Sequence, residues 1–263
     1  MTPAVSVVIT NYNYADYLEE SIRSVREQVP GEYRIGEILV VDDGSTDRSA
    51  EILAGLEDVR VIRKDHEGFG PALTRGILEA RSEWLALLDS DDCFEPEKLS
   101  FVAPFLAIPQ VMYVRHAAYV VDADGQRLRR TPGPGGQTST MLVRRSAALP
   151  LLPITNDMYF HVLDDLGLGI RTQRPLTRYR VHYESLTDRR TPGAWEDFLS
   201  GICVEIASRL DEMKAFAPEW ATGEPEWSTG EVLDWVARHY RREAVRRTEV
   251  ANRQRAAGVA HYL

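Results

Sequence analysis

The first hundred residues alternate between short aliphatic runs and segments with helical spacing, and this alternation constrains the fold more than any other feature of the chain. "VSVVIT" (Val5 to Thr10) is β-branched and continuous, the pattern of a strand buried on both faces. "ADYLEESIRSVREQ" follows, with Leu18, Ile22 and Val25 at helical spacing. "EILVVD", "VRVIRK" and "WLALLD" repeat the strand pattern. "STDRSAEILAGL", "GPALTRGILEAR" and "EPEKLSFVAPFL" read as helices. Ser45 or Thr46 is the expected N-cap of the first, and Pro96 falls near the first turn of the last. Strand–helix alternation with short connections builds βαβ units. The expected class is therefore α/β, with a mainly parallel sheet flanked by helices.

After residue 100 the pattern changes. "MYVRHAAYVVDADGQRLRR" reads as a hairpin around Asp122 to Gly125, and "TPGPGGQ" (Thr131 to Gln137) as a loop. "TSTMLVRRSAAL" and "LTRYRVH" are strand-like, with a helical "NDMYFHVLDDLG" between them. From about Thr187 the chain reads as two helices, "WEDFLSGICVEIASRLDEM" and "TGEVLDWVARHYRREAVRRTEVANRQR", joined by "APEWATGEPEW". The expected organisation is a domain over 1–188, in halves 1–100 and 101–188, and a C-terminal helical extension over 189–263.

Net charge is -9 with a pI near 5.3, which argues against a nucleic-acid binder, whose footprint is a basic face. Two cysteines, Cys93 and Cys203, make no disulfide framework. "MTPAVSVVIT" has no basic n-region, and no apolar run approaches the ~20 residues of a membrane span. The expectation is a cytoplasmic protein. The last helix leaves a peripheral position at the inner membrane face open. It carries Arg241, Arg242, Arg246, Arg247, Arg253 and Arg255 beside Val232, Leu233, Val236, Tyr240 and Val245. Such a helix lies on an anionic membrane, makes a homodimer contact, or packs on the catalytic domain with a solvated basic face. The interspersed Glu243 and Glu249 favour packing.

In an open α/β sheet, ligands bind beyond the carboxyl ends of the strands. Three polar clusters fall at such ends: "TNYNY", "DDGSTD" and "DSDD". Asp47 and Asp92 suit helix caps or turns. Asp43, Asp89 and Asp91 accumulate charge that calls for a cation, and carboxylates at this spacing suit Mg²⁺ or Mn²⁺ with a diphosphate as the other half of the site. "DSDDC" nearly matches the motif of haloacid dehalogenase phosphatases, and Asp42, Asp43 and Asp89 mimic the spacing of response-regulator receivers. In both of those families the motif follows the first strand, which it does not do here.

One family matches the order of every block. "VSVVITNYNYADYLEESIRSV", "EILVVDDGSTDRSAEIL", "VIRKDHEGFGPALTRGILEARSEWLALLDSDD" and "RYRVHYESLTD" together resemble the family 2 glycosyltransferases over about Val5 to Asp188. The resemblance implies the GT-A (Rossmann-like) fold, with a nucleotide-binding half over 1–100 and an acceptor-binding half over 101–188. It implies a metal-dependent, inverting transfer from a nucleotide-sugar donor to a glycan, lipid-linked or small-molecule acceptor in cell-surface polysaccharide or glycoconjugate synthesis. A UDP-sugar is favoured, with dTDP- or GDP-sugars as alternatives.

Thr10 and Tyr12 would line the base, and Asp43 would accept a hydrogen bond from its ring N–H. Asp89 would contact the ribose, while Asp91 and His182 would bind Mn²⁺ or Mg²⁺. Asp157, in place of the Asp of the family's Glu-Asp pair, would deprotonate the acceptor. The dipole of the helix it begins lowers its pKa, unless a buried acceptor pocket offsets this. Asp164 and Asp165, further along, are expected to be solvated. Four positions depart from the family: His66 stands where relatives carry a donor-contacting Asn, Leu73 and Thr74 replace an Arg-Asn pair, and Asn156 replaces the Glu. Arg75, Lys64, Arg189 and Arg190 are candidates to replace the missing phosphate contact. The departures motivate an alternative, a degenerate GT-A domain that binds nucleotide sugar or glycan as a scaffold. A phosphohydrolase is the weaker enzymatic alternative.

Overall fold

The computed structural model describes residues 2–182, 191–214 and 229–258, and the chain divides into two compact units, Met1–His182 and Tyr183–Leu263. In the first unit, β1 (Ala4–Asn11), α1 (Ala15–Arg26), β2 (Arg34–Asp42), α2 (Ser49–Ala54), β3 (Val59–Arg63), α3 (Phe69–Glu79) and β4 (Trp84–Asp89) form the alternating half. β5 (Cys93–Phe94), α4 (Lys98–Leu106), β6 (Tyr113–Val121), β7 (Met141–Arg144), α5 (Arg145–Ala148), α6 (His161–Asp165) and β8 (Gly169–Arg180) follow, with 3-10 turns at Thr138–Thr140, Leu149–Leu151 and Asp157–Phe160.

The strands form one mixed sheet in the order β3-β2-β1-β4-β7-β6-β8-β5. β1, β2, β3 and β4 pair in parallel, β7 runs antiparallel to both β4 and β6, and β8 pairs in parallel with β6. The central strands are aliphatic on both faces because both are covered. Val5, Val7, Ile9, Trp84, Ala86 and Leu88 share a core with Leu18, Ile22 and Val25 of α1. Buried Ala72, Leu73 and Ile77 of α3 also contribute to the interior.

The chain passes from Asp89, at the end of β4, to Cys93, at the start of β5. Four strand spacings separate β4 from β5 in the sheet order. Laid flat, that is ~19 Å, whereas four residues span at most ~14 Å. The sheet must therefore curl, bringing its β8–β5 edge back toward the end of β4. This curl carries the end of β8 to the acidic turn.

Two local expectations are corrected. The return arm of the expected hairpin makes only isolated bridges, Val121↔Arg127 and Ala118↔Gly133. Pro132 and Pro134 have no N–H to extend a ladder. Ser45 and Thr46 do not cap α2, which begins at Ser49. Ser45 Oγ accepts from the amide of Asn13 at 3.0 Å, and the Thr46 amide donates to Asn13 Oδ1 at 2.7 Å. The N-cap of α2 is Arg48, and Asp47 before it accepts from the amides of Ser49 at 2.9 Å and Ala15 at 2.8 Å.

The described residues of the second unit form a pair of packed helices, α7 (Ala194–Met213) and α8 (Thr229–Ala257). Leu199, Ile202, Ile206 and Leu210 are buried on α7, as are Leu233, Val236, Tyr240 and Ala244 on α8. Val245, expected on the apolar stripe, is instead 63% exposed. Much of the basic face is paired inside the unit. Arg247 bonds Glu196 at 2.8 Å, Arg246 bonds Glu243, Arg241 bonds Asp211 and Arg255 bonds Asp197. Among the described residues no helix is long and apolar enough to cross a membrane.

Candidate active site

The register pairs Thr10 with Asp89 and Asn11 with Asp42, so β1, β2 and β4 end level with one another. Polar side chains placed just beyond these positions therefore share one rim. At the end of β4 the chain turns at once: the Asp92 amide donates to the Asp89 carbonyl at 3.0 Å, and the Ser90 amide to the Thr10 carbonyl at 3.1 Å. The tight turn gathers its acids. One carboxylate oxygen from each of Asp89, Asp91 and Asp92 lies within 4.8 Å of the others. Thr10 Oγ1 donates to Asp89 Oδ1 at 3.1 Å.

The end of β8 is stitched to this turn. The Arg180 amide donates to Asp92 Oδ1 and its Nε to the Asp91 carbonyl, both at 2.7 Å. The same guanidinium reaches the Ala123 carbonyl at 2.6 Å and Glu20 at 2.7 Å. Two residues on, His182 Nε2 lies 3.0 Å from Asp91 Oδ2, with the rings of Tyr14 and Tyr17 beside it. Thr10, Asp89, Asp91 and His182 are thus brought together. Asp92 does serve the turn, yet its carboxylate also belongs to the cluster, and its buried Oδ2 has no hydrogen-bond partner. Burial, and then the neighbouring acids, push Asp89 and Asp92 well above the ordinary carboxylate range. An orphaned buried carboxylate oxygen, three crowded acids and one imidazole form a donor set that fits a hard divalent cation with open positions for further oxygen ligands.

Tyr12, Asp43 and His66 form a second cluster. Asp43 is 2% exposed. Its Oδ1 accepts from Lys64 Nζ at 2.6 Å and the Glu67 amide at 3.1 Å. Its Oδ2 accepts from the Gly68 amide at 2.7 Å and meets His66 Nδ1 at 2.8 Å. Burial raises the pKa of Asp43, but these bonds, Lys64 first, outweigh it and hold the group below the ordinary value. Four donors occupy the ~four acceptor positions of a carboxylate. The His66 ring stacks on Tyr12 with centroids 3.9 Å apart and planes 16° apart.

Asp157 is 7% exposed, at the start of a 3-10 turn whose N-cap, Asn156, accepts from the Met158 amide. The departure at Asn156 therefore has a local role. Against the expectation of a lowered pKa, burial raises Asp157 to about 6, opposed by the Thr138 hydroxyl and nearby amides. Desolvation outweighs the single short turn behind the residue. Its charge also raises the pKa of Asp89, which places it within electrostatic reach of the acidic turn. Asp164 corrects another expectation. Its side chain is 2% exposed and lies 2.9 Å from Arg171 and 3.8 Å from Arg115.

Leu73 is fully buried, and Thr74 Oγ1 accepts from the Ile154 amide at 3.2 Å. Thr74 thus serves the frame that carries Asp157, while Leu73 belongs to the interior. Gly70 allows the same approach, because a Cβ there would lie 2.5 Å from the Ile154 carbonyl. Arg75 pairs with Glu79 at 2.9 Å and Lys64 with Asp43. Arg189, Arg190 and the "YESLTD" end of the resemblance lie outside the described residues. Sequence reasoning missed Arg180, Thr138 and Ser139. "YRVH" contained Arg180 in plain view, but nothing in "TST" signalled a site.

The family model described as "Glycosyl transferase family 2" matches residues 6–162. The chain is 34% identical over 137 residues to a Nostoc protein described as an uncharacterized glycosyltransferase, covering 49% of this chain and 42% of that protein. It is 35% identical over 130 residues to the succinoglycan biosynthesis protein ExoO of Rhizobium meliloti, covering 48% of this chain and 36% of ExoO. The matched region is thus less than half the length of either relative. Two solved structures share the fold over nearly the whole chain. S. aureus TarS in complex with UDP-GlcNAc matches with a TM-score of 0.58 at 16% identity, covering 97% of this chain and 92% of that one. The mannosyltransferase PcManGT from Pyrobaculum calidifontis, in complex with GDP-Man and Mn²⁺, matches with a TM-score of 0.61 at 15% identity, covering 98% and 75%. At such identities the likeness speaks for the fold, which is the expected GT-A arrangement.

Proposed function

The chain belongs to glycosyl transferase family 2, and on that premise we propose that it moves a sugar from a nucleotide-sugar donor to an acceptor hydroxyl, with inversion and with the help of Mn²⁺ or Mg²⁺. The observation that carries this reading is that adjacent residues, Thr138 and Ser139, bond a buried carboxylate, Asp157, and the backbone of Asp89, whose acidic turn also meets His182. A UDP-sugar is the favoured donor. ExoO, a relative, is named for succinoglycan biosynthesis, which supports a place in polysaccharide synthesis.

Tyr12 offers its ring to the base. Asp43 can accept a base N–H once one of its four donors leaves, and half-exposed His66 is the one free to swing away. Asp89 accepts from the ribose. Asp91 and His182 would hold the cation, with Asp92 Oδ2 beside them. A bound divalent cation supplies neutralising charge for the departing diphosphate. Asp157 takes the acceptor proton as the hydroxyl oxygen attacks C1 of the sugar. The pKa of about 6 leaves this group ionised at neutral pH yet more basic than an exposed aspartate. The transition state is oxocarbenium-like, and the nucleoside diphosphate leaves from the opposite face.

The test is acceptor-dependent release of nucleoside diphosphate from UDP-, dTDP- and GDP-sugars with Mn²⁺, over a panel of simple glycosides. Asp157→Asn should lower transfer by about 10²–10⁴-fold while leaving nucleotide binding intact. Undiminished transfer would remove Asp157 from its role. Nucleotide binding without turnover would favour the scaffold reading. Donor hydrolysis that ignores acceptor would favour a phosphohydrolase.

A further inference from the structure

We propose that the buried turn Thr138–Thr140 is a positioning element that ties the base to the acidic turn, with Thr138 orienting the Asp157 carboxylate and Ser139 fixing the backbone of Asp89. The proposal rests on the reading of Asp157 as the base. Thr138, Ser139 and Thr140 are 4%, 0% and 0% exposed, so their hydroxyls must find partners inside the protein. Thr138 Oγ1 donates to Asp157 Oδ2 at 3.1 Å. Ser139 Oγ accepts the amide proton of Asp89 at 2.9 Å. One turn therefore holds both sides of the site.

The turn is itself held from below. The Ser139 carbonyl accepts from fully buried Lys98 Nζ and from Thr177 Oγ1, both at 2.7 Å. Thr140 Oγ1 accepts from the Gly136 amide at 2.8 Å and donates to the Gln137 carbonyl at 2.7 Å. Gly136 has φ 108° and Gly135 φ 73°, and a Cβ at Gly135 would lie 1.8 Å from the His116 carbonyl. These two glycines let the loop "TPGPGG" enter the turn at that depth.

A hydroxyl that donates to a carboxylate does two things. It restricts rotation of the group and it stabilises the charged form. Among the described residues, Asp89 and Tyr113 are titratable groups within reach of Asp157; burial first, and then neighbouring charges that include Asp157, raise both. Backbone amides supply the other bonds to Asp157, and the Thr138 hydroxyl is the side-chain donor that meets its carboxylate.

The test compares Thr138→Val, Thr138→Ser and Asp157→Asn proteins, all full-length. The first readout is the titration of the Asp157 carboxyl carbon by NMR in divalent-free buffer, assigned by its absence in Asp157→Asn. The second is the pH profile of kcat/KM, taken with UDP affinity. Thr138→Val should raise the Asp157 pKa by about one unit, move the acidic limb of the profile by the same amount and lower kcat about tenfold. UDP affinity with Mn²⁺ should stay within about twofold. Thr138→Ser, which restores the hydroxyl, should return all of these to wild type. An unchanged Asp157 titration in Thr138→Val would overturn the proposal, as would a Thr138→Ser protein that behaves like Thr138→Val. The NMR readout needs no turnover. A fully active Asp157→Asn protein would overturn the base reading and would be recognised separately from any NMR result.

Discussion

Asp157 illustrates how a site residue works against the fold that holds it. Burial raises its pKa to about 6, from ~3.9 in an exposed aspartate. The folded protein therefore binds this proton more tightly than the unfolded chain. Its contribution to stability is greatest below pH ~4, falls as pH rises through the window from ~4 to 6, and is a full penalty above 6. Asp157→Asn should then stabilise the divalent-free protein at pH 8 by about 2 kcal/mol and change little near pH 4. Thermal melts at the two pH values check this, and equal shifts at both would contradict it. Arg180 is the converse case. Its guanidinium is nearly enclosed and satisfies the carbonyls of Asp91 and Ala123 as well as Glu20. Arg180→Met would strand those groups, and should cost about 3 kcal/mol while weakening Mn²⁺ binding, read by melts and by Mn²⁺ titration with UDP. A normal melt would show that the network is redundant.

At the scale of elements, α3 explains two departures from the family pattern. Leu73 faces the interior, and Thr74 and Gly70 receive the backbone at Ile154 and Thr155. Restoring the family residue by Leu73→Arg would place a charge in a fully buried position. The predicted outcome is a lower melting temperature with no gain in donor affinity. Gly70→Ala should displace the segment before Asp157 and lower transfer at least tenfold, an order-of-magnitude expectation for misplacing a catalytic group, while UDP binding survives. Much of this scale was legible in the sequence, because period-2 and period-3.6 patterns report burial one residue at a time. β1 to β4, α3 and the existence of the helices α7 and α8 followed from such patterns, whereas β5 was not read, the expected strand "TSTMLVRRSAAL" is strand only over Met141–Arg144, and the pairing of α7 with α8 was not foreseen. What escaped were features fixed by distant partners. Asp164 is buried because Arg115 of β6 and Arg171 of β8 meet it, and no local pattern in "HVLDDLG" encodes that. The Thr138–Thr140 turn gained its importance only when the curled sheet set it between Asp89 and Asp157.

At the scale of the molecule, polar blocks at three strand ends, two of them acidic, were readable as one site because parallel strands in register must end together. The curl that adds His182 to them was not readable from spacing. It follows from a four-residue step between strands that lie far apart in sheet order. On this reading the convergence creates a cation-dependent site for a nucleoside diphosphate. Calorimetric titration of UDP into the full-length protein, with and without Mn²⁺, in wild type, Asp91→Ala and His182→Ala, tests it most directly. Wild type should bind UDP in a Mn²⁺-dependent manner, and binding should fall by roughly tenfold or more in each variant, an order-of-magnitude loss expected on removing a metal ligand. Binding of equal strength in all three proteins, or binding indifferent to Mn²⁺, would contradict it.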